Sequence, residues 1–234
     1  MDLSKIYEPI SSDLSRFESE IRTLVLSIKS DEEIVRESIS YFFNTMGKHI
    51  RPALILFSAK AVNVMNGCSE KLNGNLVSLA SAIELIHNAS LIHDDIVDGD
   101  ENRRGVLSLN KKFGNKTAML IGDMLYTKAI LLLLDKVNKD ILRIIAKCVE
   151  KMCSGEINEL RNSVSSVEDY LKVVELKTAS LMSTCCEVGA MLGGADSNVV
   201  KCMKSYGLNF GFAFQIVDDY KDNELLKGSE KDLI

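Results

Sequence analysis

Asp94-Asp95-Ile96-Val97-Asp98 and Asp218-Asp219-Tyr220-Lys221-Asp222 repeat one pattern, DDxxD, at two distant places in the chain. On an α-helix positions i and i+4 share a face, so Asp94 stacks with Asp98, and Asp218 with Asp222. Carboxylates crowded on one turn repel each other and gain nothing from packing. They suit hard cations: Mg²⁺ takes a few carboxylates and fills its shell with substrate phosphates and water. A lone DDxxD on a surface helix would read as a solvated acidic face. Two copies, each closing an apolar helical run (79–92 and 206–217), read instead as metal-binding turns. Facing each other, they would grip a diphosphate from both sides.

Basic residues suited to phosphate accompany them. Gly47-Lys48-His49-Ile50-Arg51-Pro52 breaks one helix at Gly47 and is expected to start another at Pro52. Lys48 and Arg51 would then lie beside a helix N-terminus, where free N–H groups already favour an anion. His87 lies seven residues before Asp94, and Glu84 three before that, so all three fall near one helix face. His93, beside the cluster, points elsewhere and reads as structural. Arg103-Arg104-Gly105 follows the first acidic turn, and Lys177-Thr178 lies between the two. Each is weak alone; together they could serve two separate phosphate groups.

The elements that must position these residues are helical. The 234 residues are 46% hydrophobic and 26% charged with only two prolines, and nothing marks a domain boundary, so a single domain spanning 1–234 is expected. Apolar residues recur at three- and four-residue spacing over 34–43, 54–65, 118–134, 141–160, 170–191 and 199–217. Ser30 to Glu33 and Ser165 to Glu168 both match a helix-starting capping box. Gly47, Gly114, Gly155 and Gly193-Gly194 fit helix ends or bends. No segment sustains strand alternation. The expected architecture is an all-α bundle around a central cavity with the aspartates at its polar end. Formal charge is −5, which argues against a nucleic-acid surface. Six cysteines without a CxxC pair or zinc spacing imply a reducing, cytoplasmic setting. The longest unbroken apolar run, 129–134, is too short to span a bilayer, and the N-terminus does not read as a signal peptide.

In order along the chain stand GKxxRP (47–52), ExxHxxxLxHDDxxDxxxxRRG (84–105), FG…GD (113–123), KTA (177–179) and GxxFQxxDDxxD (211–222). This series resembles the trans-isoprenyl diphosphate synthases, the polyprenyl synthetase family, over roughly residues 40–234. The resemblance implies an isoprenoid-synthase-type helical bundle and Mg²⁺-dependent prenyl transfer. An allylic diphosphate ionises, the double bond of isopentenyl diphosphate attacks the carbocation, and proton loss completes elongation, with the released diphosphate as the proton acceptor. Asp94, Asp95, Asp98, Asp218, Asp219 and Asp222 would serve a cluster of about three Mg²⁺ ions, with Mn²⁺ as a substitute. Arg103, Lys177, Thr178 and Gln215 would hold the allylic diphosphate. Lys48, Arg51, His87 and Arg104 would hold isopentenyl diphosphate. A homodimer without a membrane span is implied.

The chain stops at Ile234, where the family continues through several further helices, so the last C-terminal helices are expected to be missing. Ala89 and Ser90 lie just before Asp94, where the family uses aromatic residues to stop growth early; small ones, with no insertion in the first DDxxD, resemble the octaprenyl, hexaprenyl or solanesyl type. The competing readings are a short-chain farnesyl or geranylgeranyl synthase, a non-catalytic subunit of a heteromeric synthase, and a class I terpene cyclase. An EF-hand fails on spacing: a loop starting at Asp98 places Arg103 at the required glycine and Leu109 at the required glutamate.

Overall fold

The structure is a computed structural model that describes residues 3–28, 32–45, 47–68, 74–161 and 165–231, with side chains described as far as Lys221. Its described elements are almost all helical: α1 (Leu3–Tyr7), a 3₁₀ turn, α2 (Ser11–Leu26), α3 (Glu33–Phe43), α4 (Ile50–Met65) and α5 (Gly74–Asp98), then the strands β1 (Asn102–Arg103) and β2 (Val106–Leu107), then α6 (Leu109–Phe113), α7 (Asn115–Leu134), α8 (Lys139–Arg161), α9 (Val167–Val174), a π-helical turn (Glu175–Ala179), α10 (Ser180–Leu192) and α11 (Ser197–Lys231). They form two compact units, Met1–Phe57 with Ser69–Asn138, and Ser58–Cys68 with Lys139–Ile234.

In the first unit α2 turns Asp13, Phe17, Ile21 and Val25 inward at four-residue spacing. Each such apolar side chain contributes roughly 1.5–3 kcal/mol by leaving water. Helix α5 is buried on nearly every side from Leu76 to Ile86, and α7 packs along it. His93 of α5 occupies the space over Gly122, where a Cβ would lie 2.3 Å from its Nε2. That ring is 3.1 Å from the carbonyl oxygen of Met119, in keeping with a structural role. Asn102 and Arg103 pair with Leu107 and Val106 in a two-residue hairpin. Its turn residues, Arg104 (φ 52°) and Gly105 (φ 81°), both have positive φ, as the twist of a tight antiparallel hairpin requires.

In the second unit α10 packs against α11 and α8. Glycines set the approach: a Cβ on Gly211 would lie 2.5 Å from the Ala179 Cα, and one on Gly207 2.6 Å from the Met182 carbonyl oxygen. Gly155 does not end a helix but sits inside α8, where a Cβ would meet the Leu176 Cβ at 2.7 Å. Helix α4 starts two residues before the expected Pro52, because first-turn N–H groups lack helical acceptors and proline fits there at no cost. The capping box of α9 is shifted by one: Ser166 caps and Asp169 answers it, since Ser166 too has an acid three residues on. Ser30, in the other expected box, lies outside the described residues. The periodic run 170–191 is divided by the π turn, in which the Ser180 N–H reaches back to the Glu175 carbonyl.

Although no unbroken apolar run is long, α5 and α7 are each long and apolar enough to cross a membrane by length and composition. In α5, 78% of that stretch is buried inside the protein; in α7 the figure is 33%.

Candidate active site

The first acidic turn ends α5. Its three carboxylates are not equivalent: Asp95 is buried, Asp94 is partly exposed and Asp98 is exposed. Asp95 Oδ1 takes an ion pair from Arg103, delivered by β1. Asn110, at the start of α6, donates to the Asp95 carbonyl at 3.0 Å and to that of Asp100 at 3.3 Å. Burial raises the Asp95 pKa, with the hydrogen bond and charge of Arg103 working against it. Asp95 Oδ2 and Arg103 Nε are buried without a hydrogen-bond partner among the described residues. Such groups are costly unless something else satisfies them.

Four basic residues gather in the same unit. Arg51, in the first turn of α4, donates from Nη1 to His87 Nε2 at 2.9 Å. Burial, then the charges of Arg51, Arg104 and Arg103, push the His87 pKa well below its ordinary value, so its imidazole is neutral. Arg104 reaches the Thr45 carbonyl at 2.6 Å and lies over Gly47, where a Cβ would stand 2.8 Å from its Nη2. Lys48 is exposed, and its carbonyl accepts from the Tyr7 hydroxyl at 2.8 Å. The hairpin thus sends its adjacent arginines two ways, Arg103 to Asp95 and Arg104 to the Gly47 loop. Arg51, Arg103 and Arg104 all act on His87, and such a concentration of positive charge is suited to a polyanion.

The second acidic turn lies within α11. Asp218 is exposed and Asp219 partly buried; the side chain of Asp222 lies outside the described residues. Thr178 donates to Gln215 Oε1 at 2.8 Å, and Gln215 donates to Asp219 Oδ1 at 2.7 Å. Tyr170 of α9 donates to the other oxygen, Oδ2, at 2.5 Å. Burial and this carboxylate push the Tyr170 pKa up to about 12. Lys177, on the π turn, is paired with Glu156 at 2.7 Å and with Glu159. Burial works against its charge, but the two glutamates outweigh it and its pKa is raised. The structure therefore brings Thr178, Gln215 and Asp219 into one chain and engages Lys177 with two glutamates. Tyr170, Glu156 and Asn110 were not legible as site residues, because only the fold brings them to their partners.

Ala89 is fully buried on α5, and the Ser90 hydroxyl donates to the His87 carbonyl at 2.8 Å. Among the described residues no group of three or more His, Cys, Asp or Glu side chains is gathered as a preformed metal cage.

The sequence model of the polyprenyl synthetase family matches residues 32–231. The decaprenyl-diphosphate synthase of Dictyostelium discoideum is 38% identical over 195 residues, covering 83% of this chain and 41% of that protein. Among solved structures, a decaprenyl diphosphate synthase from Rhodobacter capsulatus aligns with TM-score 0.82 at 32% identity, over 92% of this chain and 65% of that one. The polyprenyl synthase from Caulobacter crescentus CB15, complexed with calcium and isoprenyl diphosphate, aligns with TM-score 0.81 at 30% identity, over 93% and 63%. The chain spans less than two thirds of each. The ordered motifs, the all-α isoprenoid-synthase-type fold and these matches agree, and the chain belongs to the polyprenyl synthetase family.

Proposed function

We propose that this chain carries the prenyl-transfer site of a trans-polyprenyl diphosphate synthase, condensing isopentenyl diphosphate with an allylic diphosphate. The observation that carries the reading is the Arg51–His87 pair with Arg104 close by, beside the Asp95–Arg103 pair. Two basic sets with different surroundings suit two diphosphate substrates. Lys48, Arg51, His87 and Arg104 would bind isopentenyl diphosphate and hold its double bond still. Arg103, with Lys177, Thr178 and Gln215, would bind the allylic diphosphate, whose carbon–oxygen bond breaks.

The residues fit a hard divalent cation. Donors at both turns are carboxylate oxygens, and Asp95 Oδ2 is buried without a partner among the described residues. Mg²⁺ takes a few such carboxylates and completes its shell with substrate phosphate and water. Asp94, Asp95, Asp98, Asp218, Asp219 and Asp222 would hold such ions, about three per site, with Asp95 offering Oδ2 while Arg103 holds its Oδ1. When bound, the cations neutralise charge on the departing diphosphate, a Lewis-acid effect worth several kcal/mol. Lys177 must exchange Glu156 or Glu159 for phosphate to take part.

Small Ala89 and Ser90, and the decaprenyl relatives, support a long-chain product for isoprenoid or quinone side-chain synthesis. A cytoplasmic homodimer without a membrane span completes the reading. Exposed Met119, Leu120, Ile130, Leu131 and Leu134 on α7 form an apolar face that a second copy would cover. Incubation with isopentenyl diphosphate, each allylic primer and Mg²⁺, followed by chromatography of dephosphorylated products, tests the reading. Farnesyl or geranylgeranyl products alone would select the short-chain alternative. No product with any primer would sink the catalytic assignment for this chain and leave the non-catalytic subunit.

A further inference from the structure

The two described non-glycine residues with positive φ are His49 and Arg104, both at 52°, and both border the Gly47 loop. For Arg104 the hairpin turn accounts for the conformation. His49 has no such turn. It stands between Lys48 and the first turn of α4, and its carbonyl accepts the Ala53 N–H at 3.0 Å, opening the helix. Left-handed backbone at a non-glycine residue persists only where the surroundings over-determine it.

The surroundings do so here. His49 Nδ1 donates to Glu84 Oε1 at 3.3 Å, and both side chains are nearly withdrawn from solvent, at 10% and 5% exposure. The edge of the Phe17 ring meets the imidazole at 5.1 Å between centroids. On one side the loop is tied by the Tyr7 hydroxyl to the Lys48 carbonyl, on the other by Arg104 to the Thr45 carbonyl. Glu84 is one turn before His87 on α5, so the helix that offers His87 to Arg51 also anchors His49. Lys48 and Arg51 flank His49, and its φ sets how the chain turns from one to the other.

We infer that His49, held in its left-handed conformation by buried Glu84, is a positioning residue for the Lys48, Arg51 and His87 diphosphate site. The pair touches no substrate. It fixes the direction in which the loop leaves Lys48 and enters Arg51, so both cations meet one anion without prior rearrangement. The inference rests on the proposed prenyl-transfer reading.

The test uses the full chain, with isopentenyl diphosphate and an allylic diphosphate as separate ligands in calorimetry and steady-state kinetics. His49→Val disfavours the left-handed conformation and removes the Glu84 bond; His49→Asn tolerates it and keeps a donor; His49→Gly permits it and keeps none. His49→Val should raise the KM for isopentenyl diphosphate roughly tenfold or more, with the allylic KM within about twofold. His49→Asn should restore most of that loss and His49→Gly part of it, and Glu84→Gln should add little to His49→Gly. If the valine chain does not fold, the asparagine and glycine chains, with and without Glu84→Gln, carry the comparison. Equal losses for both substrates in His49→Gly, or none for either, would overturn the inference. Failure of the prenyl-transfer reading shows separately, as a parental chain that neither binds isopentenyl diphosphate nor turns it over.

Discussion

At the scale of single residues, charge placement decides what each aspartate and base does. Asp94 and Asp218 stay accessible while Asp95 is committed to Arg103. Replacing either accessible aspartate with alanine removes repulsion from the apo protein and a cation ligand from the loaded one. Asp94→Ala and Asp218→Ala should nearly abolish product formation while far-ultraviolet dichroism stays parental; near-parental turnover in either would sink the metal assignment. Arg51→Ala should weaken isopentenyl diphosphate by roughly 1.5–3 kcal/mol, the worth of a charge-assisted hydrogen bond, and the allylic substrate much less. Direct binding measurements with each ligand decide it, and equal weakening would mean the sites are not distinct. His87 adds a pH signature. Its pKa is lowered on folding, so below the unfolded value near 6.5 the unfolded chain binds a proton that the folded chain refuses. Stability from this group is complete above that pH and falls as pH drops toward the folded value. His87→Gln should lose less stability than the parent between pH 7 and pH 5 in denaturant titrations; an identical slope would show that His87 does not titrate this way.

Elements carry the site through close approach and small breaks in regularity. The π turn is one such break, and the residues it contains include Lys177 and Thr178; such bulges often mark functional segments. Helix α11 crosses it at Gly211, with no room for a methyl group beside Ala179. Gly211→Ala should cost roughly 1–3 kcal/mol by overpacking. It should also disturb Gln215, one turn on, and with it Asp219. Thermal melting checks the first effect and loss of turnover the second; a chain as stable and active as the parent would show that the crossing is slack. On α5, Ala89 is wholly buried and Ser90 partly so, in a tightly packed interior. Ser90→Phe should shift products toward farnesyl or geranylgeranyl diphosphate while condensation persists. An unchanged product ladder at full activity would mean the growing tail runs elsewhere.

For the whole molecule, the exposed apolar face of α7 calls for a cover, and by length and composition alone that helix could equally enter a membrane. A dimer predicts that Leu131→Asp yields monomers in analytical ultracentrifugation, where the parent sediments as a dimer. A parental chain that is monomeric, and that floats with lipid vesicles, would favour the membrane instead. The family match from 32 to 231 runs through both compact units. Each unit holds one acidic turn, so neither carries the full set of residues that the proposed reaction uses.

Sequence alone determined the helical class and the family, and it offered the two acidic turns and the basic set as candidates, because these are written in local spacing and motif order. Apolar residues at three and four apart declare a helix face, and ordered short motifs identify a family. Local spacing could not decide which carboxylate is spent on Arg103, since burial of Asp95 depends on α6 and the hairpin closing over it. Nor could it show that Lys177 is engaged by Glu156 and Glu159, 21 and 18 residues earlier by number and brought near by helix packing. Tyr170 became a partner of Asp219, and Thr178 of Gln215, for the same reason. Even the helix starts at Ile50 and Val167 turned on which of several adequate caps the surroundings favoured. The left-handed backbone at His49 is the clearest case: nothing in GKHIRP requires it, and only Glu84 and Phe17, held by other helices, keep it there. Residue types set which chemistry is available, while tertiary packing sets which groups are desolvated, paired or left open to perform it.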